Sequence, residues 1–180
     1  MSQAIKIERL EELRLTAEIE TEISVLLDKA FPVDYHGRSF FQNRHHCRFL
    51  HRSSDKRLVG HLAIAYRAIH MGKTRVDIIG IADVAVAKQH QNRGIGSALV
   101  SAAIAEGKRA KADFAALFGE NPIYTKVGFQ PAPNLITISE MEGSNTGSIV
   151  RENNKFFKVK QLGSIKWDIG VDVDLAGFAF

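Results

Sequence analysis

The chain has 180 residues, of which 45% are hydrophobic and 24% charged, and its formal net charge is +4. This balance predicts one soluble domain over residues 1–180, and the absence of any run of about 18 apolar residues predicts no membrane span. Residues 1–6 do not resemble a signal peptide, the cations are too scattered to favour nucleic acid, and the single cysteine, Cys47, is compatible with a reducing cytoplasm.

The N-terminal half predicts one helix among short strands. Apolar residues recur at helical spacing, with Thr16 as the N-cap. Phe31 ends the helix because it precedes Pro32, and a residue before proline avoids the helical region. The predicted elements are a strand at 5–7, a helix ending near residue 30, a loop or short helix at 33–44, and strands at 47–51 and 58–69.

The C-terminal half predicts an alternation of strands and helices. The elements in order are an apolar strand at 77–86, a helix at 97–112, a strand at 114–118, a short helix near 124, an irregular strand at 129–138, an exposed polar loop at 142–154, and late strands at 156–162 and 171–180. This order predicts an α/β or α+β fold with a mixed central sheet.

A glycine-rich loop joins the apolar strand to the following helix, with the sequence Gln91-Asn92-Arg93-Gly94-Ile95-Gly96. Free N–H groups at a helix N-terminus attract anions, and glycine lets a phosphate approach the backbone closely. The dinucleotide fingerprint GxGxxG fails because Leu99 occupies its third glycine position, and no lysine follows Gly96 as a nucleotide phosphate loop requires. A diphosphate ligand of another kind is indicated.

The QxxGxG pattern resembles the coenzyme A pyrophosphate loop of the GNAT N-acetyltransferase superfamily. A second segment, Asn121-Pro122-Ile123-Tyr124-Thr125-Lys126-Val127-Gly128-Phe129, resembles the YxKxGF segment of that family. The likeness covers roughly residues 58–133, and residues 167–180 are similar to one bacterial subgroup of predicted N-acetyltransferases. It implies a GNAT-like mixed, mostly antiparallel central sheet with splayed central strands and helices on both faces.

The resemblance also assigns binding residues by position. Backbone groups of Val84, Ala85 and Val86 would bind pantetheine like an added strand. Asn121 would lie near the pantetheine arm, act as the N-cap of its helix, or do both. The loop that would hold the pyrophosphate comprises Gln91, Asn92, Arg93, Gly94, Ile95, Gly96 and Ser97. The side chains of Gln91 and Arg93 could add contacts to the ligand, and a solvated loop residue is an equal alternative for Arg93.

Two catalytic roles follow. The resemblance places the Tyr124 hydroxyl near the coenzyme A sulfur as the general acid, and the alternative is a half-buried helix aromatic. Asp83 is the candidate base or amine ligand, because a carboxylate on a central strand is costly to bury without a partner; alternatively, it bonds to backbone N–H groups near a bulge. His61 is a second candidate base, or a structural histidine.

Other patterns in the sequence give weaker indications of function than the two motifs above. Residues 34–41 cover the acceptor site in related proteins and are read as substrate recognition or as an ordinary loop. The run His45-His46-Cys47 does not predict a metal site, since adjacent strand residues point in opposite directions. No Gly-x-Ser-x-Gly element supports a serine hydrolase. Direct attack of the amine on the thioester is the simplest mechanism.

We therefore expect a cytoplasmic acyltransferase that transfers an acetyl group from acetyl-coenzyme A to an amine acceptor through a ternary complex. Two alternatives stay open: a longer-chain acyltransferase of the same fold, and a non-catalytic acyl-coenzyme A-binding module. The expected partners are acetyl-coenzyme A and an unidentified amine, with no nucleic acid, membrane or metal; a homodimer is left open.

Overall fold

The computed structural model describes residues 5–33, 35–142 and 145–180, so the expectations about the first four residues and Asp34 lie outside it. None of the helices in these ranges is long and apolar enough to cross a membrane. The regular elements in chain order are β1 (Glu8–Glu11), α1 (Ala17–Ala30), β2 (Cys47–Arg52), β3 (Leu58–Met71), β4 (Thr74–Val86), α2 (Ile95–Arg109), β5 (Phe114–Phe118), α3 (Pro122–Lys126), β6 (Gln130–Pro131), β7 (Leu135–Glu142), β8 (Asn145–Asn153), β9 (Phe157–Gln161) and β10 (Val173–Asp174).

The chain divides into two compact units. The first comprises Met1–Ala65 and Ala82–Ala103, and the second comprises Tyr66–Ile81 and Ile104–Phe180. Three elements, β3, β4 and α2, contribute residues to both units. The single domain expected from the sequence stays a prediction.

In the first unit, α1 packs its apolar stripe against the sheet. The hydroxyl of Thr16 accepts a hydrogen bond from the N–H of Ile19 at 3.4 Å, and the helix ends at Ala30, so the predicted cap and end are confirmed. The buried cluster beneath the helix contains Ile23, Leu26, Leu27, Tyr35, Leu50 and Ala85. Burial of this stripe, more than intrinsic propensity, stabilises a helix of this length.

The two longer helices cover opposite faces of the first unit's sheet, in which β1, β2 and β3 pair antiparallel. A Cβ added to Gly60 would lie 2.8 Å from Ile95 Cγ2 of α2 and 3.2 Å from His51 Cβ. Leu50, by contrast, belongs to the cluster beneath α1. Since consecutive strand residues point to opposite faces, Leu50 faces α1 and His51 faces α2.

In the second unit, the strand order is β6-β9-β5-β4-β3-β10-β7-β8. The β4–β5 and β10–β7 pairs are parallel, and the other pairs described in this unit are antiparallel. The ladder between β4 and β5 ends at Ile81 and Leu117. Strand β5 ends one residue later, at Phe118, so five further residues of β4 have no β5 partner in the described chain; the splaying of the central strands stays a prediction. The mixed, mostly antiparallel fold class is confirmed.

Four local predictions were wrong. The single strand predicted at 129–138 is two strands, β6 and β7, which five other strands separate in the sheet order, because the chain leaves the sheet between them at residues 132–134. Residues 145–153 form strand β8 and not a loop; it is an edge strand with most residues exposed, so its polarity reflects contact with water. The first strand is Glu8–Glu11, which pairs with β2, and residues 5–7 are irregular. Of residues 171–180, only Val173–Asp174 are in a strand, because pairing with Met71 and His70 covers two residues.

Candidate functional site

The glycine loop exposes backbone donors at the start of α2. The N–H of Ala98 donates to the carbonyl of Gly94 at 3.0 Å, which makes Gly94 the N-cap. The N–H groups of residues 94–97 therefore have no acceptor within the helix. Gly94 has φ +81° and Asn92 has φ +60°, conformations that suit glycine and asparagine. A helix N-terminus thus follows the glycine loop as predicted, although the helix begins two residues earlier than expected; anion binding there stays a prediction.

Side chains fix this loop from beneath. Ile95 is buried and packs over Gly60, where any Cβ would collide with it. The side-chain amide of Gln91 donates to the Val86 carbonyl at 3.1 Å, so it folds back on the end of β4. The side chains of Asn92, Arg93 and Ser97 are exposed, and Gly96 is half-buried. The loop is thus anchored to the first unit, with its polar side facing solvent.

The end of β4 departs from regular strand geometry at Asp83, whose φ is +50°. A left-handed residue within a strand is the conformation found in one class of β-bulge and re-aims the side chain; we call this irregularity at Asp83 the bulge. After it, Ala85 is buried against the α1 cluster, while Val84 and Val86 are half-buried. The bulge thus lies next to the backbone groups expected to bind pantetheine.

The Asp83 carboxylate is largely buried and only partly satisfied. Its Oδ1 accepts a hydrogen bond from the Tyr35 hydroxyl at 2.9 Å, and its Oδ2 lies 3.7 Å from His45 Nε2. Both Asp83 Oδ2 and His45 Nδ1 are buried without a hydrogen-bond partner in the described part of the chain. The expected alternative, a carboxylate bonded to nearby backbone N–H groups, is not what the described contacts show. The Asp83 carboxylate therefore keeps one oxygen, Oδ2, that no described residue engages in a hydrogen bond.

The protonation states follow from burial. Burial raises the pKa of Asp83, although the hydrogen bond from Tyr35 and the charge of Arg48 oppose the shift. Burial, followed by the positive charge of Arg48, lowers the pKa of His45 to about 2. His45 is therefore neutral near pH 7, and its contact with Asp83 is not an ion pair there. A carboxyl group with a raised pKa is better suited to accept a proton than an ordinary one.

A buried ionic network lies behind Asp83. The guanidinium of Arg48 has no exposed surface and binds both carboxylate oxygens of Glu12, at 2.6 and 2.9 Å. It also donates to the Ser39 carbonyl and contacts His61 Nε2 at 3.2 Å. The other nitrogen of His61 lies 2.8 Å from the Asp83 carbonyl oxygen. With both ring nitrogens engaged, His61 has no free nitrogen to act as a base.

Sequence reasoning missed Glu12, Arg48 and the role of His45. Only an arginine within the apolar run of β2 hinted at a buried charge, and no local signal linked it to Glu12. Tyr35 was included in the segment 34–41, but as substrate recognition. It contacts a residue 48 positions away in sequence, which local patterns do not reveal.

The second unit holds Asn121 and Tyr124 on α3. The Asn121 side chain accepts a hydrogen bond from the N–H of Ile123 at 3.0 Å, so its predicted N-cap role is confirmed. The Tyr124 ring packs over Gly119, where an added Cβ would come within 2.6 Å, and against Phe129. Its hydroxyl has no hydrogen-bond partner among the residues described. Burial raises the pKa of Tyr124, so the hydroxyl keeps its proton at neutral pH.

A cavity of about 540 Å³ lies in the first unit between α1 and residues 86–91. Its lining combines apolar side chains, such as Val25 and Leu58, with three cations and one carboxylate: Lys29, Arg57, Lys88 and Glu22, the last of which pairs with Arg52. Positive charge thus lies beside the glycine loop, where it would attract an anionic ligand.

Comparison with known proteins agrees with this geometry. A family model described as an acetyltransferase (GNAT) domain matches residues 14–132. The chain is similar to a GNAT family N-acetyltransferase (YhbS) from Escherichia coli in complex with CoA, at 16% identity and TM-score 0.62, covering 97% of this chain and 92% of that one. It is also similar to a GNAT family acetyltransferase from Brucella melitensis in complex with acetyl-CoA, at 18% identity and TM-score 0.59, covering 94% and 96%.

A third similar structure is a GCN5-related N-acetyltransferase from Anabaena variabilis, at 20% identity and TM-score 0.58; the match covers 71% of this chain but 32% of that longer one. At such identities these likenesses show the fold alone. No curated protein matches the sequence.

The fold, the strand–loop–helix unit and the family match together define an acyltransferase. The matching family model spans residues 14–132, more than half of the sequence, so the chain belongs to the acetyltransferase (GNAT) domain family.

Proposed function

We propose that this protein transfers an acetyl group from acetyl-coenzyme A directly to an amine, within a ternary complex. The observation that carries the proposal is the row of N–H groups at residues 94–97, which have no acceptor within the helix and lie at the N-terminus of a 15-residue helix. Such a row, aligned with the helix dipole, suits a pyrophosphate. The similar structures in complex with CoA and acetyl-CoA support the choice of ligand.

In this proposal, residues at the end of β4 and at the start of α3 hold the pantetheine arm of the coenzyme, which carries no charge. Val84, Ala85 and Val86 offer backbone groups to the pantetheine amides, beyond the point where β4 loses its β5 partner. Asn121 adds a polar contact with its amide N–H₂, because its side-chain oxygen already caps α3. The loop residues from Gln91 to Ser97 surround the pyrophosphate mainly with backbone.

The chemistry is a single acyl transfer. The acceptor nitrogen attacks the thioester carbonyl carbon, a C–N bond forms, and the C–S bond breaks. Asp83 takes the proton that the amine loses, and Tyr124 donates its proton to the leaving thiolate. The raised pKa values of both groups support these roles, since the first becomes a stronger base and the second stays protonated. No acyl-enzyme is required.

The proposal includes a cytoplasmic location and leaves a homodimer open. The described cysteine, Cys47, is buried and forms no disulfide, which fits a reducing cytoplasm. A homodimer is compatible with the chain.

Calorimetric titration with coenzyme A, followed by thiol release from acetyl-coenzyme A in a panel of amines, tests the proposal. We expect binding in the micromolar range typical of enzyme substrates and turnover with at least one amine. Turnover only with longer acyl-coenzyme A would indicate the longer-chain alternative, and binding without any turnover would favour the non-catalytic module. The absence of binding would refute the proposed coenzyme.

The variant Tyr124→Phe tests the acid. Phenylalanine fills the same space over Gly119, and the lost hydroxyl has no partner among the described residues, so folding should be unaffected. We expect kcat to fall by about 10²-fold or more while the Kd of coenzyme A is unchanged. Tyr66→Phe, at a half-exposed tyrosine, is the control. Undiminished turnover would eliminate Tyr124 as the acid.

A further inference from the structure

His61 contacts the bulge at Asp83 from inside the protein. It lies on β3 without exposed surface, and its Nδ1 is 2.8 Å from the Asp83 carbonyl oxygen. Its Nε2 is 3.2 Å from a nitrogen of Arg48. The register explains the second contact: Arg48 pairs with Ala63, so His61, two residues from Ala63, is its diagonal neighbour on the same face.

The partners of His61 fix its tautomer. A guanidinium only donates hydrogen bonds, so the Nε2 facing Arg48 must accept. The ring is therefore neutral with its proton on Nδ1, and Nδ1–H donates to the Asp83 carbonyl. Burial and the charge of Arg48 lower the pKa of His61 to about 3, which agrees with a neutral ring. Arg48 itself is held by Glu12 and by the Ser39 carbonyl, so this donor and acceptor arrangement is rigid.

The hydrogen bond from His61 stabilises an unusual backbone conformation. At φ +50°, Asp83 adopts the left-handed region, which is costly for a residue with a Cβ. In a regular strand, successive side chains alternate between the two faces, so relaxation of the bulge would re-aim the carboxylate. It would then lose the geometry that places it beside Tyr35 and His45.

We propose that His61, held by Arg48, is a positioning residue for acetyl transfer: its Nδ1–H keeps the Asp83 carbonyl in the bulge and so aims the Asp83 carboxylate at the acceptor amine. This inference rests on the proposed function, in which Asp83 is the base. His61 itself does not exchange a proton during the reaction.

Two substitutions separate the two ends of the ring. In His61→Asn, the amide nitrogen stands where Nδ1 stood and keeps the donor to Asp83. In His61→Gln, the amide reaches the Nε2 position, so it keeps a partner for Arg48 and loses the donor to Asp83. Both variants perturb the buried network, so urea unfolding of each is measured and the activity is expressed per folded molecule.

We expect His61→Gln to lower kcat by about ten- to a hundredfold, the effect of a misplaced catalytic group, with the KM for acetyl-coenzyme A unchanged. His61→Asn should keep kcat within about threefold of the wild type, because it restores the donor that positions Asp83. A purely structural role predicts that kcat follows the folded fraction alike in both variants, and that result would overturn the inference.

A measurement without activity distinguishes failure of this inference from failure of the proposed function. Nitrogen-15 NMR of the imidazole should show a protonated Nδ1 and an unprotonated Nε2 in the wild type. The opposite tautomer, or an imidazolium at pH 7, would overturn the inference even if the enzyme turns over. If the wild type shows the expected tautomer but neither binds coenzyme A nor acetylates any amine, the proposed function fails and the positioning role fails with it.

Discussion

The most informative substitution is Asp83→Asn, because the proposed base should lower stability in its ionised form. Asparagine has the shape of aspartate and tolerates the left-handed region, so φ +50° should be retained. Its oxygen can still accept from Tyr35, and its N–H₂ group replaces the unpaired Oδ2 beside His45. Removing a buried, unsatisfied charged oxygen should stabilise the fold by about 1–3 kcal/mol at pH 7.

The pH dependence gives the sign of the effect. The pKa of Asp83 is raised above the ordinary value of 3.8, so the folded state binds its proton more tightly than the unfolded state. The contribution of this tighter proton binding to folding stability is complete below the pKa of Asp83 in the unfolded state, and it is lost as the pH rises through the pKa in the folded state. The stability advantage of Asp83→Asn over the wild type should therefore be small near pH 4 and grow as the pH rises.

Urea unfolding of both proteins between pH 4 and 8 measures this difference, and thiol release measures turnover. Activity should fall by about 10²-fold or more, since an amide accepts no proton. Asp83→Ala is the matched control: it loses the Tyr35 bond and keeps the left-handed strain, so it should be less stable than Asp83→Asn. An asparagine variant that is less stable than the wild type at pH 7, or fully active, would refute the reasoning.

Two further predictions concern the glycine loop and the buried ion pair. Gly94→Ala places a Cβ at φ +81° and should weaken coenzyme A binding about tenfold, measured by calorimetry. The control Gly37→Ala, at φ +70° with no atom near the added Cβ, should cost similar stability and leave the Kd unchanged, so equal Kd values in both variants would contradict the loop's role. Arg48→Met leaves the Glu12 carboxylate buried without its main partner and should lower the free energy of unfolding by about 3–5 kcal/mol. The double variant, Glu12→Leu with Arg48→Met, should lower it much less, and additive losses in urea unfolding would contradict the pairing.

Local patterns predicted the parts of the site that lie close together in sequence. The apolar run of β4, the two glycines and the periodic stripe of α2 are each readable within about ten residues, and the structure places them in that order. Thr16 and Asn121 were predicted as caps for the same reason, since capping needs only residues two or three positions away.

The surroundings of Asp83 were not predictable in this way. The network brings together Glu12, Tyr35, His45, Arg48 and His61. Strand register places Arg48 beside His61, whereas Glu12, Tyr35 and His45 lie outside the strands and reach the network only through the tertiary fold. Register depends on pairing across the sheet, which periodicity does not encode. The strand at 145–153 failed for a related reason: an edge strand exposed to water lacks the apolar alternation by which strands are recognised.

The energetics of Asp83 are themselves an argument for function. A left-handed residue costs up to about 1–2 kcal/mol, less for aspartate than for most residues with a Cβ, and an unsatisfied buried oxygen costs about 1–3 kcal/mol. Asparagine at the same position would avoid most of the second cost, and an ordinary strand residue would avoid both. The surrounding network nevertheless maintains this conformation through the hydrogen bonds of Tyr35 and His61. Backbone strain that the surroundings hold in place clusters at active sites. The unsatisfied oxygen fits the same role, since a carboxylate with every lone pair engaged could accept no proton from a substrate.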